Sequence, residues 1–161
     1  MAMDYESRYL SEPGAVGLFT RLTRVGLLVD AFQHRSLDRF GLRFIDYSVL
    51  RVLQLSGAPY RMSPTELAEI VLRSSGGMTQ IVDRLERSRF VARTADPSDR
   101  RKIVVELTPD GLRVAKEANA SYRRERKRVL SELSDDEIDE LDRAVHRLLE
   151  VLSADARAQV P

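Results

Sequence analysis

Apolar positions recur along the chain in more than one rhythm, and each rhythm predicts its own kind of element. Leu18, Leu22, Val25, Val29 and Phe32 step by four and three, while Ile138, Leu141, Val145, Leu148 and Leu152 step by three and four. This spacing predicts a heptad-like seam on a helix near each end of the chain. Phe44, Tyr47, Leu50 and Leu53 also sit at helical spacing, as do Met78, Ile81, Val82 and Leu85, each set forming the stripe of a helix that lies on a core. Phe90 to Thr94 and Lys102 to Leu107 are instead alternating and β-branched, which predicts two strands joined by a hairpin through Asp96-Pro97-Ser98-Asp99-Arg100-Arg101.

Local chemistry sets several helix starts. Ser63-Pro64-Thr65-Glu66 combines a hydroxyl cap, a proline at the first helical position and a glutamate three residues after the cap, so a helix begins at Pro64 and carries Leu67, Ala68 and Val71 on one side. It breaks through Arg73-Ser74-Ser75-Gly76-Gly77, which is expected to be the turn. Thr108-Pro109 opens a long helix running to about Leu130, and Ser134-Asp135-Asp136-Glu137 opens the last one. Helix, helix and ribbon between Ser63 and Thr108 is the layout of a winged helix-turn-helix. The expected fold class is mainly α with a small β-wing: a winged helix-turn-helix head plus N- and C-terminal dimerisation helices. A single domain over 1–161 is expected, with the winged head at 42–108 and a helical dimerisation region at 11–40 and 109–158. The terminal helices are expected to pack together and against a second copy. The competing arrangement satisfies both seams within one chain.

The face opposite the Met78 stripe carries the candidate chemistry. At about 100° per residue, Gly76, Gln80, Asp83, Arg84 and Arg87 point away from the core, with Thr79 on the flank. Arginine and glutamine suit the edges of guanine and adenine, and small or hydroxylic residues near a helix N-terminus allow close approach to a phosphate. A charged outer face is also what any surface helix presents, with Arg84 or Arg87 solvated or paired to Asp83 and Glu86. The hairpin tips the balance: Asp99 can hold the tip by pairing with an arginine, leaving Arg100 or Arg101 projecting as a side chain entering a narrow minor groove must.

At these residues the chain resembles the MarR-type transcriptional regulators. The likeness runs from Leu67 to Gly111 through Met78-Thr79-Gln80-Ile81-Val82-Asp83-Arg84-Leu85-Glu86, the Asp96 to Arg101 wing and Val105-Glu106-Leu107-Thr108-Pro109-Asp110-Gly111. Length and flanking helices agree over nearly the whole chain. The resemblance implies a dimeric, cytoplasmic, ligand-responsive binder of double-stranded DNA, expected to repress from a pseudo-palindromic operator. By position it implies groove-reading roles for Thr79, Gln80 and Arg84, a wing-tip role for Arg101, and Asp99 as its brace. Ser63, Thr65, Ser75, Gly76 and Arg100 complete the expected DNA-binding set. Regulators of this kind take a small aromatic or anionic effector in a cleft, for which Phe32, His34, Phe44, Tyr47 and Arg51 are the candidates, with Arg51 or His34 meeting a carboxylate. The same aromatics at helical spacing equally describe a core stripe. Arg89 stands where the family usually has glycine, and a left-handed backbone there costs about 1 kcal/mol.

Composition narrows the alternatives. With 161 residues, 43% hydrophobic, the chain is long enough for one domain with a core, and its formal net charge of +1 rules out a general polyanion coat. Any nucleic-acid surface must come from local concentration, which Arg84, Arg87, Arg89, Arg93, Arg100, Arg101 and Lys102 supply. Cysteine is absent, which excludes disulfides and thiol-based sensing. His34 and His146 stand in no tight constellation with carboxylates, so neither a metal nor a cofactor is expected. The basic run Arg123, Arg124, Arg126, Lys127 and Arg128 has Glu125 embedded in it and Glu132, Asp135 and Asp136 close behind, and reads as a solvated or ion-paired helix face. Asp4 and Glu6 stand where a signal peptide needs basic residues, and no apolar run approaches the length of a membrane span, so a cytoplasmic location without membrane contact is expected. Ser74-Ser75-Gly76-Gly77 lacks the lysine of a phosphate loop, a strand entry and a nearby histidine base, so no enzyme is expected. The alternative is a winged-helix protein-interaction module without specific DNA binding, which has no need for arginine at both Arg84 and the wing tip.

Overall fold

The computed structural model describes residues 10–158; the Asp4 and Glu6 reading lies outside the described residues. Helix α1 spans Gly14–Leu37 and passes into a 3-10 turn, Asp38–Phe40, which Gly41 closes with a left-handed φ of 63°. Helix α2 spans Phe44–Leu55; its start is secured by Asp46, which accepts from the Arg43 amide at 3.1 Å. Strand β1 (Arg61–Met62), helix α3 (Pro64–Ile70) and helix α4 (Ser75–Arg87) follow, then strands β2 (Val91–Ala95) and β3 (Ile103–Leu107). Helix α5 spans Pro109–Val129 and helix α6 Asp135–Ala158.

The chain divides into two compact units that meet between Tyr122 and Arg123, inside α5. The boundary falls within α5: Val114, Ala115, Ala118 and Tyr122 join the core of the head, whereas Arg123 and Arg124 begin an exposed, charged stretch. The core is built from α1, α2, α3, α4, the strands and this first part of α5. Leu37, Leu50, Leu53, Leu67, Met78, Leu85, Val91 and Val105 are among its fully buried members. Each such side chain contributes about 1.5–3 kcal/mol by leaving water. Tyr47, Leu50 and Leu53 are buried and Phe44 packs against them, so this stripe is core.

Two expectations about the head change in detail. Helix α3 begins at Pro64 as its cap predicts, with the Ser63 amide donating to Glu66 Oε2 at 2.9 Å and the Glu66 amide to Ser63 Oγ at 3.2 Å. The turn after it is not the serine-glycine run. Ser74 caps α4 by accepting from the Gly77 amide at 3.2 Å, so Ser75, Gly76 and Gly77 form the first turn of the helix. The chain reverses instead at Leu72, whose φ is +53°.

The sheet is also larger than the expected ribbon. It has three antiparallel strands in the order β1-β3-β2, with Arg61 opposite Glu106, Val91 opposite Leu107 and Ala95 opposite Ile103. A two-residue strand carries no periodic signal, so β1 is invisible before β3 is placed beside it.

The base of the hairpin explains the Leu107-Thr108-x-x-Gly111 pattern. Thr108 donates through Oγ1 to Arg89 O at 2.7 Å and accepts from the Gly111 amide at 3.0 Å, joining the start of α5 to the entry of β2. A Cβ on Gly111 would meet Phe90 O at 1.8 Å, so only glycine fits. Arg89 has φ +60°, the left-handed backbone its departure from glycine raised as a question.

Each terminal helix exposes part of its apolar seam. Leu18, Val25 and Val29 on α1 are exposed, together with Phe19, Leu27 and Leu28. On α6 the same holds for Leu141, Val145, Leu149 and Leu152. Among the described residues, no helix is long and apolar enough to cross a membrane.

Candidate nucleic-acid interface

The site is assembled by α3, α4 and the β2-β3 hairpin. Burial of Met78, Ile81, Val82 and Leu85 fixes the rotation of α4, so Ser75, Gly76, Thr79, Gln80, Asp83 and Arg87 face outward. Thr65 is exposed on the first turn of α3 and Ser63 is half-buried as its cap. Thr65, Ser75 and Thr79 converge with Pro64, Ala68, Glu69 and Arg73 around a groove of about 290 Å³ between the two helices. Three of the expected contact residues are therefore brought to one place. Thr79 Oγ1 also donates to Ser75 O at 3.0 Å, which orients its methyl and hydroxyl groups on the helix surface.

Arg73 joins this groove although sequence reasoning passed over it as part of a turn. Its amide donates to Ala68 O at 2.8 Å, so the backbone is fixed while the side chain is exposed beside the hydroxyls. A cation beside hydroxyls at a helix N-terminus is a phosphate-compatible arrangement. The only signal in the sequence was its position just before the Ser74 cap.

Arg84 is not placed as its position on the helix suggested. It is half-buried, and its Nε donates to Asp46 Oδ1 and Oδ2 at 3.0 and 3.1 Å while Nη2 also meets Oδ1. Asp46 is almost wholly buried on α2, and the pair ties the recognition helix α4 to the core helix behind it. A groove-reading Arg84 has to give up this pair with Asp46.

Asp83 and Glu86, expected to pair with Arg84 or Arg87, both meet Arg93 on strand β2. Arg87 is exposed and donates to Asp83 O at 3.3 Å.

The hairpin tip is organised by two aspartates. Asp96 accepts from the amide and the hydroxyl of Ser98, both at 2.7 Å, and these bonds, the hydroxyl first, hold its carboxyl below the ordinary range. Asp99 Oδ1 accepts from the Arg101 amide at 3.2 Å and from Arg101 Nε at 3.3 Å. Arg101 remains 92% exposed, so the contact orients its stem and leaves the guanidinium edge open. Arg100 is exposed beside it. Two cations on a thin ribbon suit an electronegative groove.

The expected effector residues divide into two groups. Phe32, Phe44 and Tyr47 gather around Tyr122, with ring centroids 5.6 Å (Phe32–Tyr122), 6.0 Å (Phe44–Tyr122) and 5.5 Å (Tyr47–Tyr122) apart. Tyr47 donates its hydroxyl to Asn119 Oδ1 at 3.0 Å. The rings pack against the core between α1, α2 and α5. His34 is exposed on α1, and Arg51 is half-buried on α2 with Nη1 donating to Gln54 Oε1 at 2.8 Å.

Comparison with known proteins agrees with this geometry. The MarR family model matches residues 40–102. The HTH-type transcriptional regulator PecS of Dickeya dadantii is 27% identical over 116 residues, 72% of this chain and 70% of its own length. CouR from Rhodococcus jostii RHA1, solved bound to p-coumaroyl-CoA, is 28% identical with a TM-score of 0.70 over 81% of this chain and 90% of its own. A mutant MarR from E. coli complexed with operator DNA shares the fold at 20% identity, with a TM-score of 0.71 over 85% of this chain and 99% of its own. These relatives are regulators, not enzymes. The chain is thus similar to the MarR family over residues 40–102, and is a DNA-binding transcriptional regulator of winged helix-turn-helix fold.

Proposed function

We propose that the protein binds a pseudo-palindromic operator as a homodimer, represses transcription from it, and releases it when a small aromatic or anionic effector binds. The observation that carries the DNA-reading part is the pairing of two probes on one head. Thr79 and Gln80 face outward from α4 above a hydroxyl-lined helix N-terminus, and Arg101 projects from a tip braced by Asp99. The first suits base edges in a major groove and the second a minor groove beside it. Ser63, Thr65, Ser75, Gly76 and Arg73 take the phosphates between them, and Arg100 assists at the tip.

Two such heads on a two-fold axis meet successive major grooves about 34 Å apart, which sets half-site centres about 10 base pairs apart. CouR, solved with p-coumaroyl-CoA, supports an aromatic acyl compound as an effector class for proteins of this fold. In this chain an aromatic effector meets Phe32, Phe44 and Tyr47 only by displacing part of their packing on Tyr122, with His34 or Arg51 supplying the counter-charge. Release then requires that the effector bind the DNA-incompetent arrangement more tightly than the competent one.

Selection from a random duplex pool, followed by footprinting, tests the reading. Two protected half-sites are expected. Arg101→Ala weakens binding to the selected duplex and flattens its salt dependence, while Gln80→Ala relaxes preference at one base pair by about 1–3 kcal/mol. A single asymmetric footprint, or no effect from either variant, would overturn it.

A further inference from the structure

We infer that Glu86 and Arg93 form a positioning contact that sets where the wing stands relative to the recognition helix, and so determines whether Arg101 reaches its groove. The inference rests on the wing-to-DNA contact proposed above. Strand β2 is the edge of the sheet, paired on one side with β3 and facing α4 on the other. Glu86, near the end of α4, accepts from the Arg93 amide at 3.1 Å through Oε1 and from Arg93 Nη1 through Oε2. Arg93 Nη2 meets Asp83 Oδ1 one turn earlier on the same helix. One β2 residue is thus held at three points, one of them its backbone, by two residues of the recognition helix.

The contact is poorly suited to stabilise the fold. The side chains of Asp83, Glu86 and Arg93 are 50%, 40% and 30% exposed, and ion pairs as open as these add little to folding free energy. It is well suited to fix an angle. Beyond Arg93 the strand end and the hairpin tip together reach roughly 15 Å at about 3.3 Å per residue, so a tilt of about 10° at Arg93 moves Arg101 by about 3 Å. A displacement of that size takes a side chain out of hydrogen-bond reach of its groove. A ribbon of two strands has little rigidity of its own, and the Thr108 clamp holds only its base.

Charge alone makes the opposite prediction, which allows a sharp test. Asp83 and Glu86 lie on a helix that approaches a polyanion, so deleting Glu86 removes a repulsive charge and by electrostatics alone tightens DNA binding. By positioning, the same deletion weakens it. Wild type, Glu86→Ala, Arg93→Lys, Arg101→Ala and the Glu86→Ala/Arg101→Ala double variant are titrated against the pool-selected duplex, with thermal denaturation run in parallel. Glu86→Ala is expected to weaken binding about ten-fold with a nearly unchanged melting temperature, and Arg101→Ala to have a much smaller effect in the Glu86→Ala background than alone. Arg93→Lys keeps the positive charge but loses the forked geometry, and is expected to weaken binding as well. This variant carries the test should Glu86→Ala fold poorly. Glu86→Ala or Arg93→Lys binding as tightly as wild type, or effects of Glu86→Ala and Arg101→Ala that simply multiply, overturn the positioning role while leaving the wing contact standing. Arg101→Ala binding like wild type overturns the wing contact itself, and the positioning role with it.

Discussion

Arg84 and Arg89 are both arginines in the recognition-helix region, yet their surroundings give them opposite effects on stability. Arg84 neutralises Asp46, a carboxylate only 3% exposed that also caps α2 through the Arg43 amide. Removing one partner of such a pair leaves a buried charge without compensation. Arg84→Ala is expected to lower the unfolding free energy by about 3 kcal/mol in urea titration, and to weaken DNA binding only through that loss of order. Arg89 makes no comparable contact through its side chain in the described hydrogen bonds, and its backbone is held at φ +60° because its amide donates to Glu86 O and its carbonyl accepts from Thr108. Relief of the left-handed strain is worth about 1 kcal/mol, so Arg89→Gly is expected to raise the urea midpoint. A stability loss below about 1 kcal/mol for Arg84→Ala, or a lowered midpoint for Arg89→Gly, contradicts these assignments.

At the level of elements, capping decides how the reading head begins and how it responds to acid. Glu66 is held below its ordinary value near 4.5, chiefly by the Ser63 hydroxyl and next by the Ser63 amide. A carboxyl whose folded pKa is depressed stabilises the native state fully above its unfolded pKa, and that contribution is lost as pH falls through the lower folded value. Glu66→Gln, which cannot titrate, is therefore expected to melt below wild type at pH 7, with the gap closing as pH falls below about 4.5. A gap of constant size from neutral pH to pH 3 argues against the capping carboxylate. Glu137 repeats the arrangement on α6, again held low by Ser134, so the same pH window applies at the start of that helix. The turn between α3 and α4 has no such local signature. Leu72 adopts a positive φ with its side chain 84% exposed, a conformation for which leucine has no intrinsic preference.

For the whole molecule, the unfinished surfaces are the terminal seams. An exposed row of valine and leucine on each of two 24-residue helices is costly to leave in water. A second copy of the chain covering these rows is the proposed arrangement, and it sets the spacing of the heads. Sedimentation is expected to show a dimer at micromolar concentration. Val145→Asp is expected to shift it toward monomer and to abolish the two-half-site footprint while leaving the head folded. A wild-type monomer under these conditions would sink the dimer. Since the net charge is only +1, DNA affinity rests on the local cations of the head, and so on its correct presentation.

Three helix starts were legible from the sequence because a cap and its partners lie within four residues: Ser63 with Glu66, Ser134 with Glu137, Thr108 with Gly111. The strands were legible to within one residue because alternation is a local property, and the wing tip because Asp99 and Arg101 are two residues apart. The same locality explains what was not legible. The pairing of Arg84 with Asp46 joins residues 38 positions apart. Arg93 looked like one more surface cation until the hairpin folded it back onto Asp83 and Glu86. The strand at Arg61–Met62 exists only because β3 offers it an edge. The sequence by itself determined the capped helices, the two hairpin strands and the tip, since alternation and hydrogen bonds between near neighbours decide those. Only the tertiary structure decided which arginines remain free to meet DNA, because a guanidinium takes whichever carboxylate the fold brings to it.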